Sequence, residues 1–322
     1  MGDSAGSVAP MARTEEVQIA LASEGPLTSR SSLRSFWICL AILSFCFSRV
    51  LFNLVNHSLN ESLHSHILLV PFISGYLILQ LRSSLPLPMR ETSLIGIVCC
   101  VVGLLTVGIY FAVQSNGQQL SSNDSIAINV FAFWMFIVAA AAFTLGTKFV
   151  KTIAFPLAFL VFLIPLPDKV AAGLEIASQY ASAEVYSWFM NLSGATYYRE
   201  GRTFVLPNLT IVVAQECSGI RSSFVLFITS LIAGHMFLRG PWKKLFFAMA
   251  VFPLGIFRNA LRIYFLSMAS AHWNPDIIHS PIHHRGGPIF FALSLIPFFV
   301  LLLWLKKSER GTHPREAAHS VI

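Results

Sequence analysis

The segment Val212–Phe237, VVAQECSGIRSSFVLFITSLIAGHMF, joins a polar motif to a long apolar run. Its first half crowds together a glutamate, a cysteine, a glycine and an arginine, and its second half contains no Asp, Glu, Lys or Arg. An apolar run of about 20 residues is long enough to cross a bilayer as a helix. The segment therefore predicts a membrane-spanning helix that carries a polar motif at its start.

Similar apolar runs recur throughout the chain and set the predicted architecture. Of the 322 residues, 55% are hydrophobic and 11% are charged, whereas a soluble domain carries about 25% charged residues. The mean hydropathy is +0.68. We therefore expect an all-α polytopic membrane protein with about eight transmembrane helices. The predicted spans cover residues 36–55, 66–81, 93–113, 125–146, 150–166, 217–238, 244–268 and 287–305.

The segment between predicted spans five and six is not expected to cross the membrane. Its first half, KVAAGLEIASQYASAEVYSWFMNLSG, places charged residues between apolar residues at helical spacing, which predicts an amphipathic helix at the membrane surface. Its second half, TFVLPNLTIVVAQ, has two β-branched runs around Pro207-Asn208, which predicts a short β-hairpin. The chain is expected to consist of a disordered cytoplasmic arm (1–35), a transmembrane domain (36–305) and a basic cytoplasmic tail (306–322).

The basic residues predict how the spans are oriented. If both termini are cytoplasmic, fourteen lysines and arginines fall in inner segments and four fall in outer segments. The inner set is Arg13, Arg30, Arg34, Arg82, Arg90, Lys148, Lys151, Arg239, Lys243, Lys244, Lys306, Lys307, Arg310 and Arg315. The outer set is Lys169, Arg199, Arg202 and Arg285. Because cytoplasmic loops are enriched in Lys and Arg, this distribution predicts eight spans with both termini inside.

Cys217 is the cysteine whose setting suggests chemistry. Cys39, Cys46, Cys99 and Cys100 lie inside apolar runs, where cysteine behaves as a small hydrophobic residue. Cys217 instead follows Glu216 directly and precedes Gly219 by two residues, at the predicted outer start of span six. Amides at a helix start and a neighbouring cation both favour a thiolate, which is an activated nucleophile. The alternative is a cysteine that merely packs at the end of a span.

Arginine side chains in span seven are the second candidate feature. The sequence FRNALRIYFL places Arg258, Asn259 and Arg262 within little more than one helical turn, with the two arginines four residues apart on one face. Because an arginine inside a span costs about 2.5–3.5 kcal/mol on insertion scales, a partner or a function is expected for it. Arg262 is the candidate for function, and Arg258 is expected to be structural. An ion pair of Arg262 with Glu216 or Glu184 is the alternative.

Histidines in the last predicted outer loop are the third candidate feature. His272, His279, His283 and His284 all lie there. A metal site is disfavoured because Pro281 interrupts the spacing between His279 and His283, and no Cys/His zinc pattern is present. No metal or other cofactor is therefore expected. A general acid/base role near neutral pH is the preferred hypothesis, and a solvated loop without a catalytic role is the alternative.

Three motifs together resemble the exosortase/archaeosortase family of integral membrane transpeptidases. They are ECSGIRS, NALRI and HHRGGPIFF, in this order and on these spans, with weaker similarity in SHILLVPFISGYLIL and LIPLP. The resemblance therefore extends over roughly residues 36–305. The family pattern maps onto Cys217-Ser218-Gly219 with Arg221 and Ser222, onto Asn259 and Arg262, and onto His283 with Gly287.

The resemblance implies a cysteine protease or transpeptidase with Cys217, Arg262 and His283 as catalytic residues. The supporting residues that it implies are Glu216, Ser218, Gly219, Arg221, Asn259 and His284. Many family members have apolar or aromatic residues between the histidine and the glycine, whereas this chain has His284-Arg285-Gly286. The assignment between His283 and His284 therefore stays open, and the spacing to Gly287 favours His283.

The resemblance also implies partners and a location. The expected substrates are secreted proteins with a C-terminal tail made of a Pro-Glu-Pro-type motif, an apolar segment and a basic cluster. The cleaved chain would pass to an amine or lipid acceptor, and bacterial members often accompany exopolysaccharide production. The expected location is the bacterial inner membrane, in contact with its lipids, with the active site on the outer face and no nucleic-acid partner.

Two other functions are compatible with the sequence. A hydrolytic intramembrane cysteine protease needs the same three catalytic groups but transfers the acyl group to water. A non-enzymatic transporter, or a scaffold for polysaccharide export, is disfavoured because the polar intramembrane residues cluster in spans six and seven and no internal repeat is visible.

Overall fold

A computed structural model describes residues 30–61, 63–90, 92–207, 209–213, 219–272 and 287–310. The chain forms two compact units, residues 1–168 and residues 169–322. Most of the predicted cytoplasmic arm and of the basic tail lies outside the described residues.

All the regular secondary structure described in the first unit is helical. Its helices are α1 (Arg30–Cys46), α2 (Ser48–Asn60), α3 (Val70–Gln80), α4 (Leu94–Ser115), α5 (Ser122–Leu145), α6 (Thr147–Thr152) and α7 (Ala154–Phe159). Short 3₁₀ turns cover Ser65–Leu69, Arg82–Ser84 and Leu160–Leu163. Helices α1 and α2 bend by 72° at their junction.

Helix α5 forms the centre of the first unit, and α4 packs along it. Only 11% of the most apolar stretch of α4 is buried inside the protein, against 56% of that of α5. Most of the surface of α4 is therefore available to lipid. The two helices approach closely because glycines of α4 leave space for phenylalanine rings of α5. A Cβ placed on Gly96 would lie 2.8 Å from a ring carbon of Phe143, and one on Gly103 would lie 2.9 Å from a ring carbon of Phe136.

Polar side chains in the first unit satisfy backbone groups at breaks in the helices. Ser74 of α3 donates a hydrogen bond to the carbonyl of Pro156 at 2.9 Å, and the indole of Trp134 donates to the carbonyl of Leu157 at 2.9 Å. Asn123 donates to the carbonyl of Leu166 at 2.7 Å. Because an unpaired backbone carbonyl is costly in an apolar environment, these contacts allow irregular backbone among apolar helices.

The second unit combines helices with a small antiparallel sheet. Its elements are α8 (Asp168–Leu192), β1 (Tyr198–Glu200), β2 (Thr203–Leu206), β3 (Leu209–Val212), α9 (Ile220–Phe237), α10 (Pro241–His272) and α11 (Gly287–Arg310). The strands pair in the order β1-β2-β3. The predicted hairpin is confirmed, since β2 pairs with β3 and Leu206 lies opposite Leu209. The strand β1 was not predicted.

Helix α8 packs its apolar face against the sheet and α10. Tyr186 is fully buried and contacts the ring of Phe204 edge-to-face, with 4.7 Å between ring centroids. Ala260 and Ile263 of α10 join the same cluster. The hydroxyl of Tyr186 donates to Ser267 at 3.0 Å, which satisfies the one polar group of this buried ring. The predicted amphipathic helix thus supports the half of α10 that carries Asn259 and Arg262.

Helices α9, α10 and α11 form the remainder of the second unit. Their shared core includes Leu226, Phe247 and Phe298. Glu309 of α11 accepts hydrogen bonds from the backbone N–H of Gly240 at 2.9 Å and of Arg239 at 3.0 Å. A carboxylate at this place satisfies amides at the start of α10 that have no partner within the helix.

The described helices make the chain a multi-pass membrane protein. Five of them are long and apolar enough to cross a membrane, or up to seven if each of two bent helix pairs counts as one span. The shorter apolar helix Ser65–Gln80 matches the remaining predicted run. All eight predicted apolar runs are therefore mainly helical where the structure describes them, and the difference in count arises from bends and from one short helix.

Candidate active site

The structure describes part of the predicted site. Gly219, Arg221, Asn259 and Arg262 belong to the described residues. The proposed nucleophile and histidines, together with two supporting residues, lie outside them: Glu216, Cys217, Ser218, His283 and His284.

Gly219 begins α9 in a conformation that favours glycine. Its φ is +66°, in the left-handed region, and it stands at the N-cap position of the helix. The helix follows directly, since the carbonyl of Gly219 accepts the backbone N–H of Ser223 at 3.1 Å. Ser222 also donates its hydroxyl to this carbonyl at 3.0 Å. The polar motif in the sequence therefore ends in a tight turn at the start of the helix.

The same glycine packs against Asn259 of α10. A Cβ on Gly219 would lie 3.1 Å from Cγ and 3.1 Å from Oδ1 of Asn259, so glycine is the residue that fits there without displacing the neighbour. Asn259 is 2% exposed and donates from Nδ2 to the hydroxyl of Ser182 at 3.0 Å. The backbone at Gly219 therefore approaches α10 closely at Asn259.

Helices α9 and α10 approach closely again one turn away. A Cβ on Gly255 would lie 2.1 Å from Oγ of Ser223, so the serine hydroxyl occupies the space that a larger residue would need. Gly255 precedes Asn259 by four residues, so both lie on the face of α10 that meets α9. Gly219 and Gly255 thus leave the space that allows the start of α9 to pack closely against α10.

Arg258 anchors this turn from α10. Its side chain is 7% exposed, and its Nη2 donates to the carbonyl of Gly219 at 3.3 Å and to the hydroxyl of Ser222. Its Nη1 is buried without a hydrogen-bond partner among the described residues. The sequence had suggested only a structural arginine, and i, i+4 spacing alone could not show that it reaches the start of another helix.

Arg262 lies one turn further along α10 and is half-buried. Of its two expected alternative partners, Glu184 is held elsewhere: Arg199 contacts both carboxylate oxygens, at 2.5 and 3.0 Å. This pair holds the pKa of Arg199 above its ordinary value. The alternative of an Arg262–Glu184 ion pair is therefore wrong. Arg221, by contrast, is exposed on α9.

Ser182 is a site residue that the sequence did not suggest. It is fully buried on α8 and meets Asn259 across 77 positions of the chain. The position of a serine in an amphipathic helix does not predict which side chain it will hydrogen-bond. The signal that could have identified it is the need of a buried asparagine amide for acceptors.

The described residues contain no group of three or more His, Cys, Asp or Glu side chains placed to hold a metal ion. They provide a hydrogen-bonded turn at Gly219 and two arginines, Arg258 and Arg262, on the adjacent helix. Such an arrangement can stabilise negative charge on a group near the turn, because a fixed cation in an apolar surrounding interacts strongly with an anion.

The sequence model of a family described as transmembrane exosortase matches residues 55–300, a range that contains the turn at Gly219 and the whole of α10. Comparisons with curated proteins and with solved structures gave no match.

Proposed function

Because the chain belongs to the transmembrane exosortase family, whose members have a membrane protease or transpeptidase role, we propose that it cleaves C-terminal sorting signals of secreted proteins. Cys217 would form a thioacyl-enzyme, and the acyl group would pass to an acceptor. Arg262 and His283 would complete the catalytic group.

The observation that carries the proposal is the contact between Gly219 and Asn259. Gly219 approaches the helix that bears Arg262, although Gly219 and Asn259 are forty residues apart in sequence. Cys217 precedes Gly219 by two residues, which limits the distance between their Cα atoms to about 7 Å. This limit, with Asn259 and Arg262 one turn apart on α10, supports the proposal that Cys217 acts together with Arg262.

The chemistry assigns each group one task. The thiolate of Cys217 attacks a peptide carbonyl carbon, and the guanidinium of Arg262 donates to the oxygen as it gains negative charge. The imidazolium of His283 gives its proton to the leaving amine, the C–N bond breaks and a thioester remains. Neutral His283 then takes a proton from an acceptor amine, which attacks the thioester and releases the thiolate.

The substrate and location belong to the same proposal. Secreted proteins with a Pro-Glu-Pro-type tail would be cleaved at the outer face of a bacterial inner membrane, in a protein whose two termini are cytoplasmic. The transmembrane domain would then comprise residues 36–305, between a cytoplasmic arm and a basic tail. The distribution of lysine and arginine supports this orientation.

Processing of one tailed substrate tests the nucleophile. Cys217→Ala should abolish cleavage at an unchanged membrane level of the protein. The matched controls are the same substitution at Cys39, Cys46, Cys99 and Cys100, which are free cysteines in α1 and α4 and should retain cleavage. Full cleavage by the Cys217→Ala protein would end the cysteine mechanism, whereas equal cleavage in cells that lack the protein would favour a non-enzymatic role. Intact mass at the new C-terminus separates transfer, which adds the acceptor, from hydrolysis.

Two pairs of variants test the other groups. Arg262→Lys should lose nearly as much cleavage as Arg262→Ala, because an ammonium cannot reproduce the two parallel donors of a guanidinium. Rescue by lysine would mean that the charge alone matters. His283→Ala should stop cleavage, whereas His284→Ala should only slow it. The reverse result would move the assignment by one residue, and cleavage by both variants would remove histidine from the mechanism.

Reporter fusions test the orientation. A reporter that is active only outside the cytoplasm should be active after Ser115 and silent after Lys306. Activity after Lys306 would contradict the proposed topology.

A further inference from the structure

A cavity of about 600 Å³ lies in the second unit, where α9 ends, α10 begins and α11 ends. Its wall combines the apolar side chains of Met236 and Phe237 with Arg239, Lys306 and Glu309. Helix α9 has 18 residues and is therefore about 27 Å long at about 1.5 Å per residue. The hydrocarbon core of a bilayer is about 30 Å thick. The cavity therefore lies at the opposite end of this candidate span from the candidate active site, at the other membrane surface.

Cations outnumber carboxylates around this cavity. Arg239 and Lys306 line it, and Lys243 and Lys244 follow in the first turn of α10. The carboxylate in its wall belongs to Glu309, which accepts hydrogen bonds from two backbone N–H groups at the start of α10, at 2.9 and 3.0 Å. These amides carry the partial positive charge of a helix start, so they offset the carboxylate. The excess of positive charge favours an anionic ligand.

The side chains of Arg239 and Lys306 keep donors that a ligand can use. In the part of the chain that the structure describes, neither side chain forms an ion pair with a carboxylate. Lys306 is half-buried, and its Nζ lies 5.1 Å from the ring centroid of Phe237, which holds the ammonium beside the cavity. Arg239 is exposed. A guanidinium can bind two phosphate oxygens at once, and an ammonium adds a second point of positive charge.

Exposed aromatic side chains indicate that this end of the helices lies at the level of lipid headgroups. Trp242 and Trp304 are 80% and 61% exposed, and each lies within three residues of a cation that lines the cavity. Tryptophan is enriched where a membrane meets water, because its ring is apolar and its N–H is polar. Met236 and Phe237 are also exposed, beside the same cations. Apolar surface next to cations at this level fits a lipid better than a soluble anion, which needs no apolar wall.

We propose that this cavity binds one anionic phospholipid, such as phosphatidylglycerol, whose phosphate contacts Arg239 and Lys306 and whose acyl chains lie along Met236 and Phe237. The lipid joins the end of α9 to the end of α11, two elements that Glu309 already connects through the backbone before α10. The site lies at the far end of α9 from the candidate active site and uses none of its residues. The inference therefore goes beyond the proposed function and does not depend on it.

Native mass spectrometry of the full chain in detergent counts bound lipids by their mass. Phosphatidylglycerol and phosphatidylethanolamine with identical acyl chains are titrated separately into delipidated protein. The two lipids share a phosphate but differ in net charge, because the ammonium of ethanolamine cancels the phosphate charge. The first phosphatidylglycerol should bind about tenfold or more tightly than the first phosphatidylethanolamine, since each basic residue near a membrane surface adds about fivefold to the binding of an anionic lipid.

Removal of charge at the cavity tests the two cations. Arg239→Gln and Lys306→Gln should each weaken binding of the first phosphatidylglycerol about fivefold, and the double variant about 25-fold, with phosphatidylethanolamine unchanged within about twofold. The matched control is Lys148→Gln with Lys151→Gln, which removes two exposed lysines of α6 that do not line the cavity. It should leave the binding of both lipids within about twofold of the unsubstituted protein.

Three results would overturn the inference. One is equal affinity for the two lipids in the unsubstituted protein, which is also the result expected if the chain after residue 310 occupies the cavity. Another is an equal loss in the cavity and α6 double variants, which would mean that general surface charge attracts the lipid. The third is displacement of phosphatidylglycerol by excess inorganic phosphate, which would identify a site for a free phosphate ion.

The assay stays decisive if the glutamine variants at the cavity do not accumulate in the membrane. A preference for phosphatidylglycerol that persists in the α6 double variant then supports the inference, and a preference that disappears there overturns it. Cleavage of a tailed substrate plays no part in lipid binding, so loss of the proposed function would leave this result unchanged.

Discussion

Gly219→Ala is the substitution whose effect follows most directly from the geometry. An alanine at φ +66° costs about 1–2 kcal/mol, because its Cβ approaches its own carbonyl oxygen. The same Cβ would also lie 3.1 Å from Oδ1 and Cγ of Asn259. This distance is shorter than an ordinary van der Waals contact, so the asparagine side chain must move. Its movement strains the hydrogen bond to Ser182, and loss of a buried bond costs about 1–3 kcal/mol.

The expected total is a fall of about 2–5 kcal/mol in the free energy of unfolding. Cleavage should fall more than tenfold, because displacement of a reacting group by about 1 Å can cost 100-fold in rate. Gly201→Ala is the matched control, since Gly201 has φ +58° but no atom within 4 Å of an added Cβ. It should cost about 1–2 kcal/mol and leave cleavage within about twofold of the native rate.

Denaturant unfolding in detergent and cleavage of a tailed substrate measure the two effects. A second comparison uses Asn259→Ala, which removes the group that an added Cβ would meet. If the contact causes the loss, the destabilisation by Gly219→Ala should be smaller on the Asn259→Ala background, with a coupling of about 1–2 kcal/mol. Equal effects of Gly219→Ala and Gly201→Ala on both stability and cleavage would refute the reasoning.

Three further predictions follow from contacts elsewhere. Tyr186→Phe removes the hydrogen bond to Ser267 and should lower the free energy of unfolding by about 1 kcal/mol, with no loss expected in far-ultraviolet circular dichroism. Glu309→Gln keeps an acceptor for the N–H of Gly240 but removes the charge at the start of α10, and should lower thermal stability by about 0.3–1 kcal/mol; unchanged stability would contradict this. Burial, helped by two neighbouring histidines, lowers the pKa of His64 to about 4 from 6.5. Between these two pH values the unfolded chain binds a proton at His64 that the folded chain does not. The free energy of unfolding should therefore be highest above pH 6.5 and fall by up to about 1 kcal/mol per pH unit toward pH 4. In His64→Gln the fall should be less steep.

Local patterns in the sequence predicted the helices and the hairpin because each depends on neighbouring residues. Apolar runs of span length gave α4, α5, α9 and α10, and the Pro207-Asn208 turn between two β-branched runs gave the pairing of β2 with β3. Strand β1 was missed because Tyr198–Glu200 is three residues long, mostly polar and without alternation. It forms a strand because it pairs with β2, and the strand propensity of its own residues does not predict that pairing.

The site was predictable in its composition and only partly in its contacts. The resemblance in the three motifs pointed to Gly219 and Asn259 as supporting residues. The contact of Gly219 with Asn259 and the hydrogen bond from Asn259 to Ser182 depend on how α8, α9 and α10 pack together. The role of Arg258 could not be inferred from sequence because a charged residue in a span reveals its cost but not its partner.

The fit of glycine and phenylalanine between α4 and α5 bears on how the protein reaches the membrane. Lipid-embedded helices associate through close packing and not through the hydrophobic effect, so a pair with interlocking surfaces can associate as soon as both segments have left the insertion machinery. The rings of Phe136 and Phe143 enter the gaps at Gly103 and Gly96 at two successive levels. During synthesis α4 and α5 would then pair within the bilayer as a helical hairpin, with α5 shielded on one side before the later helices emerge from the ribosome.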